Sequence, residues 1–269
     1  MAIVITGAQG FLGAELVSLF KENNSKVLAL TRRDCDLSSL LQTKNYFDAE
    51  PAKLIIHCAA FVPESLVEYN DRALSKNNSV MLKNILEVTS CPIIYISSMT
   101  VYGPSSEVIR EESQQPNPQS AYASSKYQGE ELLKAYKRDS LALRIPGLFG
   151  KKRCSGLIHN NIQHLLQSTA PVLPEKPTLW AAMDVKDAAY SIIKIVNNYT
   201  FSGFDAINIG YDETYSINKL IDIYNDIEDI EIDYSITHPE FKFNLNKLKK
   251  LNAMPNSTLF TAITKLINQ

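Results

Sequence analysis

The chain has little that would tie it to a membrane, a metal or a nucleic acid. In its 269 residues no apolar run approaches the ~18 residues of a membrane span. The apolar start, Ala2 to Ile5, is far too short for the core of a secretory signal. Cysteine is sparse: Cys35, Cys58, Cys91 and Cys154 lie far apart, with no C-x-x-C and no histidine cluster beside them. That spacing indicates neither zinc nor a disulfide framework, and no metal ligand is assigned; the four are expected to be reduced, mostly buried thiols. Charge of one sign is also missing. Lys+Arg 27 against Asp+Glu 29 leaves a formal net charge of -2 and a pI near 6.1, so there is no footprint for DNA, RNA or an anionic membrane. Neither internal repeats nor low-complexity tracts occur. What remains is a globular, cytoplasmic protein in expectation, with 45% hydrophobic residues to fill a core.

Four apolar residues, Ala2-Ile3-Val4-Ile5, run straight into Thr6-Gly7-Ala8-Gln9-Gly10-Phe11-Leu12-Gly13, and a helical pattern begins at Ala14. Strand, glycine turn and helix N-terminus in that order make a pyrophosphate cradle. Gly7 permits the tight turn, Gly10 lets backbone approach a phosphate, and Gly13 lets helix and strand pack closely. The G-x-x-G-x-x-G spacing differs from the commoner G-x-G-x-x-G, and its value comes from the flanking strand and helix. A dinucleotide is the ligand it suggests.

Further strands read at 26–30, 53–59, 92–96 and 141–145, separated by helices at about 71–89 and 122–138. The runs are continuously apolar, as in strands covered on both faces. This predicts an α/β protein with a Rossmann-type, doubly wound parallel sheet. The rhythm holds to residue 150 and then loosens. We read residues 1–150 as a dinucleotide-binding domain to which 181–210 return, with 151–180 and 211–269 forming a small C-terminal substrate-binding lobe.

In dinucleotide folds the end of the second strand meets the adenosine ribose, where an acid favours NAD and an arginine accommodates the 2′-phosphate of NADP. Here the stretch reads Thr31-Arg32-Arg33-Asp34. Two guanidinium groups suit a phosphate and favour NADP. The competing reading has Arg32 and Arg33 solvated and Asp34 on the ribose hydroxyls, with NAD as cofactor.

Tyr122 and Lys126 stand four apart on a predicted helix and project from one face. An ammonium beside a phenol lowers its pKa from ~10 toward neutrality, which suits proton exchange with a sugar hydroxyl. The same spacing occurs at Tyr190-Lys194 and Tyr215-Lys219; their contexts point to structural roles. Only Tyr122 follows a buried strand that ends in serines, Ser97 and Ser98, at the carboxyl edge of the sheet where ligands of open α/β folds bind.

These residues resemble the extended branch of the short-chain dehydrogenase/reductases. The resemblance rests on TGAQGFLG at 6–13, HCAA at 57–60, YISSMTVYG at 95–103, YASSK at 122–126 and LRIPGLFG at 143–150. It continues in MDVKDAA at 183–189 and in Asn208-Ile209-Gly210, so it spans nearly the whole chain. Most members act on nucleotide-activated sugars. By position the resemblance implies Ser98 as the catalytic hydroxyl (Ser97 as the alternative), Tyr122 as acid/base and Lys126 as ribose ligand. It places the cofactor against Gly7, Gln9, Gly10, Phe11, Leu12 and Gly13, along Ala59 and Ala60, and puts Asn78 near the lysine. Asn78 could equally bond its own helix backbone. Met99, Thr100 and Asn161 (or Asn160) are expected at the substrate, and the Lys151-Lys152-Arg153 run reads as exposed charge.

The family's dehydratases carry an Asp-Glu pair after the catalytic threonine; this chain has Met99-Thr100, which argues against dehydration. Arg32 and Arg33, with the short loop after them, tilt the reading to an NADPH-dependent reductase of a nucleotide-linked 4-keto-deoxysugar. A nucleotide-sugar 4-epimerase with bound NAD is the alternative, and a non-catalytic NADP-binding regulator the third. A homodimer built from the helices near 71–89 and 122–138 is what the family implies; apolar residues such as Leu132, Leu133 and Tyr136 could instead pack within one subunit.

Overall fold

In the computed structural model, residues 2–63, 66–167, 169–228, 232 and 234–268 are described. The first half runs β1 (Ala2–Thr6), α1 (Phe11–Glu22), β2 (Val27–Leu30), α2 (Leu40–Ala49), β3 (Ala52–His57), α3 (Leu66–Tyr69), α4 (Arg72–Val88) and β4 (Ile93–Ser98), followed by a 3-10 turn at Met99–Val101. The second half runs β5 (Ile109–Arg110), α5 (Ala121–Ala135), β6 (Ser140–Ile145), β7 (Gly147–Phe149), α6 (Leu157–Leu166), β8 (Ala182–Asp184) and α7 (Val185–Asn198). It ends with β9 (Phe204–Asn208), α8 (Ile217–Glu228), β10 (Lys242–Phe243), α9 (Asn246–Lys250) and α10 (Leu259–Ile267).

Six strands form one parallel sheet in the order β2-β1-β3-β4-β6-β9. Alternation sends successive residues to opposite faces, and both faces are covered. Ile3, Ile5, Ile56, Ile94, Leu141 and Leu143 belong to one apolar core, with Leu12, Leu16 and Phe20 of α1 and Ile192 of α7. Val4, Ile55, Ile93, Tyr95 and Ala142 belong to the other, with Leu82 and Ile85 of α4 and Leu133 of α5. The continuously apolar runs follow directly from this double coverage. Leu133 is wholly buried, and Leu132 and Tyr136 pack against the same core, so all three are used within the subunit.

Strand order reverses at β1, whose neighbours are β2 and β3. The crevice at a doubly wound sheet's ligand edge therefore opens between the glycine turn after β1 and residues 58–60 after β3. Beyond the sheet, β5 pairs with β10 and β7 with β8. Asn208 ties the small ladder to the sheet: its amide donates to the carbonyls of Arg110 and Asn244 and accepts the Tyr102 hydroxyl at 2.6 Å. Tyr215, Phe241 and Phe243 pack edge to face in the core above this join. The four thiols are free, but against the expectation of mostly buried thiols only Cys35 is fully buried; Cys58 and Cys91 are partly buried and Cys154 is exposed. No helix among the described residues is long and apolar enough to cross a membrane.

Candidate active site

The glycine turn is shaped as its spacing implies. Gly7 has φ +63°, and a Cβ there would lie 2.7 Å from the Ala59 nitrogen. A Cβ on Gly13 would lie 2.3 Å from the Gly7 carbonyl, so α1 can seat on the turn only without one. Helices α2, α4, α5, α7 and α10 each begin with a side-chain cap. Helix α1 does not: Gly10 is its N-cap and no acid sits in the first turn. Its first N–H groups are left for an anion.

Two cavities share this turn. The one toward β2, about 470 Å³, is lined by Gly7, Gln9 and Gly10, by Thr31, Arg32, Asp36 and Leu37, and by Ala59 and Ala60. Arg32 lines it with a side chain 88% exposed, its guanidinium 4.0 Å from Asp36 Oδ2; Arg33 is exposed and is not among the lining residues. Asp34 is folded into its own turn, its Oδ2 accepting from the Thr31 amide at 2.9 Å and the Thr31 hydroxyl at 2.7 Å. Those hydrogen bonds hold its carboxyl below the usual range. The carboxylate that could have marked NAD is thus occupied by backbone geometry. Asp36 and Leu37 at this wall were not singled out from the sequence, where they sit in an aperiodic loop.

The second cavity, about 580 Å³, is where Ser98, Met99, Thr100, Tyr122 and Lys126 converge with Gly10, Phe11, Leu12 and Gly13. Its lining holds no Asp or Glu. Adjacent serines part company here. Ser97 donates to Glu130 Oε1 at 2.6 Å in the core. The Ser98 Oγ accepts from the Thr100 amide at 3.2 Å and the Thr100 hydroxyl at 3.0 Å, which leaves its single proton free for a ligand oxygen.

Ser120 caps α5 by accepting from the Ala123 amide, so Tyr122 and Lys126 rise from the first turns onto the cavity wall. Lys126 is 3% exposed and its Nζ donates to the Ile96 carbonyl at 2.8 Å; burial lowers its pKa to about 8. The expectation for Tyr122 is corrected. Burial, with Tyr69 next to it, pushes the phenol well up, and only Arg153 opposes this. The lysine 5.8 Å from the ring centroid does not reverse it, because desolvation of a buried phenolate outweighs a cation facing the ring.

Two other expected site residues stand outside the cavities. Asn78 accepts from the Phe61 amide at 2.7 Å and donates to the Phe61 carbonyl and the Ser125 hydroxyl, each at 3.2 Å. It bolts the loop after β3 to α5 rather than facing a ligand. Asn161 is fully buried on the inner face of α6 beside Tyr224, and Asn160 is exposed. The pair Tyr190-Lys194 stacks on itself along α7. Tyr215 is buried with its hydroxyl against the Tyr211 backbone, and Lys219 pairs with Glu240.

In place of the asparagines the wall carries Arg153, Tyr69, His159 and Trp180. Arg153 stacks over Phe11 at 5.7 Å, its Nε reaching the Ser155 carbonyl at 3.4 Å; only Lys151 and Lys152 are exposed charge. Ser155-Gly156 ahead of an apolar helix was the available signal. Helix α6 has Gly156, φ 99°, as its N-cap and no side-chain cap, so a second bare helix N-terminus borders the same cavity. Tyr69 meets the Tyr122 ring edge-on at 5.7 Å and carries no periodic signal in its short helix.

A doubly wound dinucleotide-binding fold with Ser, Tyr and Lys on one cavity defines the class as that of the short-chain dehydrogenase/reductases. Within it the chain belongs to the RmlD substrate binding domain family, whose model matches residues 1–198. Among similar proteins, the dTDP-4-keto-6-deoxy-D-glucose reductase of Streptomyces niveus is 25% identical over 224 residues, 81% of this chain and 76% of that protein. The methionine adenosyltransferase 2 subunit beta of Xenopus laevis is 30% identical over 183 residues, 64% of this chain but only 52% of that protein. In fold, the chain is similar to the UDP-glucose 4-epimerase of Thermotoga maritima with UDP-glucose, with a TM-score of 0.83 and 18% identity, covering 100% of this chain and 98% of that one. RMD from Pseudomonas aeruginosa complexed with NADPH gives a TM-score of 0.81 and 19% identity with the same coverage.

Proposed function

We propose that the protein is an NADPH-dependent reductase of a nucleotide-linked 4-keto-deoxysugar. The observation that carries this reading is the carboxylate-free cavity in which Ser98, Tyr122 and Lys126 meet between two uncapped helix N-termini. Such a site favours anions. The α1 end, with the glycine turn, would hold a dinucleotide pyrophosphate, and Arg32 its 2′-phosphate. Arg153 and the α6 end remain for the diphosphate of a nucleotide sugar. The named activity of the Streptomyces niveus relative supports the same reaction.

When bound, NADPH supplies a hydride to the sugar carbonyl. Ser98 donates its free proton in a hydrogen bond to the carbonyl oxygen, and Tyr122 transfers its phenolic proton there as negative charge develops. A phenol with a raised pKa suits this direction, because it stays protonated at neutral pH until that oxygen becomes the stronger base. Lys126 and Arg153 then stabilise the phenolate, and Lys126 would hold the ribose hydroxyls. Elimination of water has no carboxylic acid to drive it here, and the apolar wall of Leu148, Leu179 and Trp180 suits a deoxysugar.

The test is loss of NADPH absorbance when the purified protein meets dTDP-4-keto-6-deoxyglucose or its UDP counterpart. Stoichiometric NAD leaving with the denatured protein, with no NADPH consumed, would favour the 4-epimerase. NADPH binding without turnover of any nucleotide sugar would leave the regulator. The substrate lobe at 151–180 and 211–269, a cytoplasmic location and a homodimer through α4 and α5 complete the proposal. The last is checked by light scattering of the purified protein.

A further inference from the structure

A charged lysine sealed in a protein interior needs something to offset its lost hydration. Lys126 has no carboxylate partner among the described residues, and the acid best placed to serve, Glu130 one turn further along α5, is spent on Arg144 at 2.7 Å and on Ser97. The ammonium instead stands 5.1 Å from the centroid of the Tyr95 ring. Tyr95 is 1% exposed and its hydroxyl has no hydrogen-bond partner, an expense that makes sense if the ring, not the hydroxyl, is what the site uses. Gly129 completes the arrangement: a Cβ there would lie 2.5 Å from the Tyr95 ring and hydroxyl, so only glycine lets α5 lie flat across it.

We infer that Tyr95, seated against Gly129, is a positioning residue whose aromatic face holds the Lys126 ammonium in its charged state and in place. This rests on the reading of Lys126 as the working lysine of the proposed reductase. Cation–π attraction is strongest where water is excluded, as here. The titratable groups facing Lys126 are His57 and Cys58 from the end of β3, Tyr95 from β4, and Tyr122 from its own helix. Burial keeps the Cys58 thiol neutral and, with the lysine's own charge, keeps His57 neutral. None of them can supply a counter-charge, which leaves the Ile96 carbonyl, the Tyr95 ring at 5.1 Å and, farther off, the Tyr122 ring at 5.8 Å.

The test is an NMR titration of isotope-labelled lysine side chains in the whole protein, with Lys126 assigned through Lys126→Arg, for wild type, Tyr95→Phe, Tyr95→Leu and Tyr95→Met. Tyr95→Phe keeps the ring and is expected to titrate with wild type. The Leu and Met variants are expected to titrate about one pH unit lower, roughly tenfold in the ratio of charged to neutral lysine. The pH at which NADPH-dependent turnover is half lost should move with it, with kcat at lower pH unchanged. A wild-type titration in the Leu or Met variant overturns the inference, and so does a shift in the Phe variant equal to theirs. If Tyr95→Leu does not fold, the Met variant, whose flexible unbranched chain adapts to the space the ring leaves, decides. Failure of the reductase reading would show separately, as absent NADPH turnover in wild type, while the titration still gives its answer.

Discussion

Ser97 donates its hydroxyl to Glu130 Oε1 at 2.6 Å, while Ser98, one residue further along β4, opens onto the cavity with Tyr122. The two therefore fail differently. Ser98→Ala should lower kcat by ~10²–10³-fold with little change in melting temperature. Ser97→Ala should keep kcat within about threefold and cost ~1–3 kcal/mol in denaturant unfolding, because a buried carboxylate loses a donor. Steady-state kinetics and urea melts of the two variants separate these roles.

Lys126 gives a second prediction. With its pKa lowered to about 8 by burial, turnover should fall as pH rises through that value and the ammonium is lost. Stability moves the other way. Between about 8 and the unfolded value of ~10.4 the unfolded chain binds the extra proton, so folding becomes more favourable as pH rises across that window. Lys126→Met should accordingly raise the unfolding free energy at pH 7 by on the order of 3 kcal/mol at most, and the melting temperature with it, while abolishing turnover. A variant both inactive and less stable would contradict this.

His57 should govern acid sensitivity. It is 1% exposed, its Nδ1 lies 2.9 Å from the Thr6 hydroxyl, and burial with the Lys126 charge lowers its pKa to about 3. Below the unfolded value of ~6.5 the unfolded chain gains a proton that the native state refuses, so stability drains away from about pH 6.5 down toward 3. His57→Asn, which keeps an acceptor for Thr6, should flatten much of that slope in urea melts at successive pH values.

Arg32 and Arg33 should not be equivalent. Arg32 lines the cavity toward β2 and Arg33 does not. Arg32→Ala is expected to reduce the preference for NADPH over NADH by roughly 10–100-fold, the loss of one charge-assisted contact to the 2′-phosphate. Arg33→Ala should change it by less than about threefold. Kd values for the two cofactors, measured by fluorescence titration, decide.

Much of the architecture was legible because the signals are local and periodic. Ile3, Val4 and Ile5 read as a doubly covered strand, and burial on both faces leaves no polar position to interrupt them. The spacing of Gly7, Gly10 and Gly13 marks a cradle because each glycine answers a contact within a few residues or across one strand. The site was harder to read at its rim. Asn161 sits on a helix whose inner face could not be assigned before α8 packed on it, and Arg153 looked like part of an exposed charge run until Phe11 was found beneath it. The Tyr122 phenol was expected to be acidified by its lysine. Burial, which no spacing reveals, sets its direction instead.

By itself, then, the sequence determined the parallel sheet, the dinucleotide turn and a helix carrying Tyr122 and Lys126 on one face, since backbone periodicity and glycine sterics act over a few residues. The tertiary structure alone decided that the Ser97 hydroxyl is taken by Glu130 while the Ser98 proton stays free in the cavity, that Arg153 replaces Asn161 on its wall, and that Tyr95 lies under the lysine. Each of those depends on burial and on partners brought together from elements distant in the chain, and the free energy of a charge or hydroxyl is set by that surrounding rather than by its neighbours in sequence.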